Sequence, residues 1–159
     1  MMELLTKIDA YKEKIDQCRP MQEPLLSQIR AYYRIGLTWT SNALEGSSLT
    51  ESETKVVLED GLTVAGKPLR EYYEAVGHAN AYDAMFSLVD RVKPVTEAAI
   101  RELHRLFYHQ IDEAQAGQYR EQRVFITGSR FTPPSAEKVA GAMGEFAQWM
   151  AENENVLHP

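Results

Sequence analysis

The chain has 159 residues, 44% of them hydrophobic and 25% charged, with a formal charge of -6; the length fits one domain able to bury a core, and the composition excludes wholesale disorder. Lysines and arginines are spread without a basic run, which excludes a general electrostatic grip on nucleic acid while leaving room for a local pocket for one nucleotide. A single cysteine, Cys18, excludes an intramolecular disulfide and a cysteine-based zinc site; no stretch approaches the roughly 20 apolar residues that cross a bilayer, and charges thread the first nine residues, so no membrane contact and a cytoplasmic location are expected.

Helical spacing organises the chain. Leu4, Leu5, Ile8, Tyr11 and Ile15 fall near one stripe, which predicts a first helix from about Met2 to Arg19, stopped before Pro20. A second helix is predicted from about Pro24 to Leu44, with Leu25, Ile29, Tyr32 or Tyr33, Gly36, and Trp39 or Thr40 in register. Gly46 can end it by taking a left-handed backbone. Thr50-Glu51-Ser52-Glu53 has capping-box spacing and opens a short helix to about Asp60. Glycine and proline mark residues 61–68 as a loop. Tyr72, Val76, Ala79, Tyr82 or Asp83, Phe86 and Val89 then carry a long helix from Leu69 to Arg91, broken by Pro94, and Thr96 caps the next, from Glu97 to about Ala114. In Val124–Pro134 a β-branched and aromatic trio meets a Gly-Ser turn and a proline stop, which predicts a small β-hairpin at about 124–132. The last helix begins near Ser135 and aligns Val139, Met143, Phe146 and Met150, with Trp149 beside them; such a stripe must pack on something.

Candidate chemistry is sparse. His78, His104, His109 and His158 match no metal spacing, and His104 and His109, five apart, are turned about 140° from each other around a helix. Glu45 stands out by position, because a carboxylate at a helix C-terminus opposes the local dipole and so invites a cationic partner. The hairpin reads equally as a surface loop or as an edge for strand addition by a peptide. Tyr32, Tyr33, Trp39, Phe107, Tyr108, Phe146 and Trp149 keep helical spacing and read as packing residues.

Taken together, Ser41-Asn42-Ala43-Leu44-Glu45-Gly46-Ser47-Ser48-Leu49-Thr50, Glu53-Thr54, Gly61–Glu71, Glu74–Ala79, Leu103–Leu106, Gly117-Gln118-Tyr119-Arg120 and Val124–Pro134 resemble the Fic family, whose members transfer AMP from ATP to protein hydroxyls. The resemblance runs from about residue 30 almost to the end. It implies an all-α fold, a Fic-type helical bundle with one small β-hairpin flap, incomplete at its C-terminus. Residues 1–60 would be N-terminal helices that include an inhibitory helix at about 24–45, and residues 61–159 the first part of the Fic core. It further implies that Ser41, Glu45 and Gly46 form the inhibitory pattern, with Glu45 occupying an active-site arginine that otherwise holds phosphate oxygens. Val124, Phe125, Ile126, Thr127, Gly128, Ser129, Arg130 and Phe131 would form the flap that registers a target protein.

The family's catalytic signature, HxFx(D/E)GNGRxxR, is absent from this sequence, so no catalytic and no metal-binding residue is assigned. His158-Pro159 resembles a stretch upstream of that signature, and His158 is given no catalytic role. ATP and magnesium are expected for a complete family member, and this chain by itself is expected to be inactive. Its expected partners are a protein substrate and either a second copy or a complementing C-terminal half. The alternative from a different class is a non-enzymatic, antitoxin-like binding protein or split-enzyme half acting on a separate Fic partner.

Overall fold

The computed structural model describes residues 2–89, 95–154 and 156. Among them are six helices and no strand: α1 (Met2–Asp16), α2 (Glu23–Leu44), α3 (Glu51–Asp60), α4 (Leu69–Val89), α5 (Glu97–Tyr108) and α6 (Ala136–Asn153). The all-α class therefore holds. The expected break at Pro94 and the His158-Pro159 stretch lie outside the described residues. The chain forms two compact units, Met1–Tyr33 and Arg34–Pro159.

The first unit contains α1 and the start of α2. Its helical pattern is supported on the surface by Lys7–Glu3 at 3.2 Å and Lys12–Asp16 at 2.8 Å, both four residues apart. Past Asp16 the backbone tightens, with Cys18 N donating to Ile15 O and Arg19 N to Asp16 O, so the helix ends a few residues earlier than the spacing suggested. No described residue of this unit is buried.

The second unit carries the core. Leu49, Val57 and Ala75 are buried together, with Leu58, Val64, Tyr72 and Val76 packed against them. The capping box forms as the sequence implied: Thr50 accepts from Glu53 N, and the Glu53 carboxylate accepts from Thr50 N at 2.8 Å. Gly61 closes α3 at φ 67°. Ala75 and Ala79, both fully buried, share one face of α4, while Gly77 lies against the α5 backbone at Phe107. A Cβ on Gly77 would overlap the Phe107 carbonyl. The missing side chain at Gly77 is thus what lets the α5 backbone come this near to α4.

Two expectations about elements require correction. The helix expected to reach Ala114 stops at Tyr108, because Ile111 N and Asp112 N both turn back to Tyr108 O and the Asp112 carboxylate then takes Gln115 N at 3.3 Å. A side chain that caps a new turn competes with helix continuation. The hairpin at 124–132 has its turn, with Ser129 N donating to Ile126 O at 3.1 Å and Gly128 at φ 77°, but it has no strand pairing. Val124, Phe125, Ile126 and Phe131 are all exposed. A two-stranded ribbon that buries no apolar face has little to hold its ladder together.

The stripe on α6 is covered only in part. Val139, Met143 and Met150 are half-buried, Phe146 and Trp149 are exposed and stacked at 6.1 Å, and no residue of the helix is fully buried.

Candidate functional site

The end of α2 is a Schellman cap. Gly46, at φ 97°, donates its N–H to Ala43 O at 3.1 Å, and Ser47 N donates to Asn42 O at 2.9 Å. Glu45 is the residue before the left-handed glycine, held by its own N–H on Asn42 O at 3.1 Å. The next residues are fastened to the start of α4: the Glu71 carboxylate accepts from Ser48 N and Ser48 Oγ at 3.0 Å and from Ser47 Oγ at 3.2 Å. Glu71 lies in the first turn of α4, where negative charge is favoured by the dipole. Lys67 reinforces this from the loop, donating to Ser48 O and lying 3.7 Å from Glu53. The hydrogen bonds from Thr50, with Lys67 behind them, hold the Glu53 carboxyl below its ordinary range.

Before that cap, α2 is anchored by its inner face. Thr38 is completely buried, and its Oγ1 lies 2.9 Å from His78 Nδ1. Burial pushes the His78 imidazole below its ordinary value, favouring the neutral ring. Asn42 is also buried, and its Nδ2 has no hydrogen-bond partner among the described residues. Arg34 adds a fork onto Asp83, with Nε 3.1 and 2.9 Å from the two carboxylate oxygens. Ser41, half-buried, joins Leu37, His78, Ala81, Tyr82, Met85 and Leu103 around an open cleft of about 300 Å³.

Glu45 itself is exposed, and no hydrogen bond or ion pair reaches its carboxylate among the described residues. Ser41, one turn earlier on the same face, accepts the Glu45 N–H through its carbonyl at 3.4 Å. The cap thus fixes the backbone that carries a solvent-facing anion. Such a group can occupy a guanidinium fork or another cation brought to it.

The flap residues Val124, Phe125, Ile126, Thr127, Gly128, Ser129, Arg130 and Phe131 are exposed as a set. Arg123 lies over the Phe125 ring at 4.9 Å, and Phe131 N is held by Ser129 Oγ at 3.1 Å. The flap and the α2 cap are separate features of the chain. Sequence reasoning missed Thr38, Asn42, Lys67 and Glu71, the groups that anchor the cap; only Glu71 carried a local signal, an acid in a first helical turn.

Among the described residues, no group of three or more His, Cys, Asp or Glu side chains is placed to hold a metal ion, and no helix is long and apolar enough to cross a membrane.

No protein-family profile matches the chain. It is 30% identical over 159 residues to protein adenylyltransferase Fic of Nematostella vectensis, covering 99% of this chain and 36% of that protein. To the protein of the same name from Drosophila grimshawi it is 33% identical over 121 residues, covering 75% of this chain and 24% of the relative. The chain therefore spans between a quarter and about a third of these relatives' length. Among solved structures, Fic-1 from C. elegans aligns with a TM-score of 0.75 at 23% identity, covering 99% of this chain and 45% of that one. A Fic domain containing signaling protein from Bacteroides thetaiotaomicron aligns at 0.78 and 24% identity, covering 96% and 59%. At these identities the structural likeness establishes the fold.

Proposed function

Because this chain belongs to the Fic family, we propose that it is the regulatory and target-positioning portion of a protein adenylyltransferase, restrained through Glu45. The single observation that carries this reading is a carboxylate without a partner among the described residues, carried on a hydrogen-bonded helix cap: Glu45 is exposed, while Gly46, Ser47 and Ser48 behind it are tied down by backbone bonds and by Glu71. An arginine paired with Glu45 has its donor fork occupied and cannot also hold phosphate oxygens, so Glu45 acts as a competitor for an anion slot. The flap supplies the second role. Among the described residues its backbone has no strand partners, which leaves N–H and C=O groups on which a target segment can align so that its hydroxyl is presented in one orientation.

ATP and magnesium would supply the AMP donor and its charge neutralisation in such an enzyme. The described residues offer neither a metal ligand set nor a phosphate loop, so on this reading the chain's own part is restraint and positioning. Incubated with labelled ATP and magnesium, the 159-residue chain should label neither itself nor an added protein. Robust labelling would defeat the proposal. In a chain joined to the HxFx(D/E)GNGRxxR signature, Glu45→Gly should raise AMP transfer by roughly ten- to a hundredfold, the worth of one charge-assisted pair. Unchanged transfer there would remove Glu45 from the inhibitory role.

A second reading, a binding protein or split half that acts on a separate Fic partner, is favoured by one observation: α5 and α6 each contain no fully buried residue. Recovery of a partner bearing the signature in a pull-down would support it.

A further inference from the structure

The block Gly117-Gln118-Tyr119-Arg120 has no part in the inhibition described above, yet each of its residues meets a group from another segment. Gly117 N donates to His104 Nδ1 at 2.9 Å, and Gly117 O accepts from Arg101 Nε at 2.8 Å. Arg101 Nη2 also donates to Gln118 Oε1 at 3.2 Å, and its guanidinium lies over the Tyr119 ring at 5.1 Å. Arg120 Nη2 reaches across to Pro134 O. Gly117 sits at φ 71°, where a Cβ would lie 3.0 Å from both Arg101 O and Arg105 Cβ, so any side chain here is strained and crowded.

These contacts fall at the two ends of one loop. Between residues 120 and 134 the hydrogen bonds among described residues are local, Ser129 N to Ile126 O and Phe131 N to Ser129 Oγ, and strand pairing is absent. Closing a loop of this length by its ends removes much of its freedom at a cost that grows only slowly with length.

We propose that Arg101, His104 and Arg120 are positioning residues: two seat the Gly117 turn on α5, the third ties the loop's exit to its entry, and together they set the direction in which the flap backbone is presented. The inference rests on the reading of residues 124–131 as a target-aligning flap.

The test is ¹⁵N relaxation on the 159-residue chain, wild type against Arg120→Ala, Arg101→Met and Arg120→Lys. Order parameters at residues 124–131 should fall by about a third in the first two, from values typical of rigid backbone to those of flexible backbone. Those of α3 and α4 should not change, and Arg120→Lys, which keeps one donor, should fall between. Unchanged flap values in both Arg120→Ala and Arg101→Met overturn the proposal, as does an equal loss throughout α3 and α4. Titration with the peptide acetyl-Lys-Val-Ser-Val-Ser-Val-Lys separates the two ideas. Peptide shifts at 124–131 that weaken at least about tenfold in the loosened variants support both. A loosened flap in variants of a wild type that never binds the peptide leaves the clasp standing and removes the flap's target role.

Discussion

Glu45 sits where helix electrostatics disfavour it. The last turn of α2 has no basic residue to offset a carboxylate at the negative end of the dipole, and no described side chain neutralises it. Stability alone gives no reason for an acid at this position, whereas competition for a cation does. His78 is the residue whose protonation matters most to the anchor beneath it. Its folded-state value is depressed by burial below the ordinary 6.5, so the unfolded chain binds a proton that the folded chain resists. Its contribution to stability is fully present above about pH 6.5 and is lost as the pH falls through the depressed folded value. Urea midpoints between about pH 7 and pH 5 should therefore decline more steeply in the wild type than in His78→Gln, in which this group no longer titrates. Equal slopes would show that the ring at Thr38 is not held neutral by the fold.

At the level of elements, the caps were legible in sequence because they depend on atoms a few residues apart. The capping box at Thr50–Glu53 and the glycine stops at Gly46 and Gly61 are all where their local chemistry places them. The contact between α4 and α5 was not legible, since a glycine inside a helical pattern signals only a weak helix former. Its reason is the Phe107 carbonyl, thirty residues away in the chain. Gly77→Ala should cost about 3 kcal/mol, the upper end of overpacking, because the obstacle is backbone that cannot rotate aside. Thermal unfolding checks this, and a loss below about 1 kcal/mol would mean that the helices separate freely. The flap failed as a hairpin for a related reason. Turn residues were sufficient to make the turn, but strand pairing needs a buried face, and the β-branched and aromatic trio could not reveal that Phe125 and Phe131 have none, at 74% and 66% exposed.

For the whole molecule, burial is concentrated in the unit Arg34–Pro159. Leu49, Val57, Ala75, Ala79, Tyr82 and Ala116 are its buried hydrophobic residues, while no described residue of Met1–Tyr33 is buried. Deleting residues 1–22, which removes α1 and the turn after it, should therefore change the stability of the second unit by less than about 1 kcal/mol. Chemical denaturation followed by the exchange of α3 and α4 amides measures it; a larger loss would show that α1 contributes to the fold of the second unit.

From the amino-acid order alone came the helical class, the positions of the caps, the prominence of Glu45 before Gly46 and the likeness to one family, because each depends on short-range periodicity or on a local string of residues. Tertiary structure alone decided what anchors that carboxylate, which is Thr38 on His78 and Ser47 and Ser48 on Glu71, and what anchors the flap, which is Arg101, His104 and Arg120. Those bonds join side chains to partners 13 to 40 residues away, and no local pattern encodes which distant partner a polar group will find.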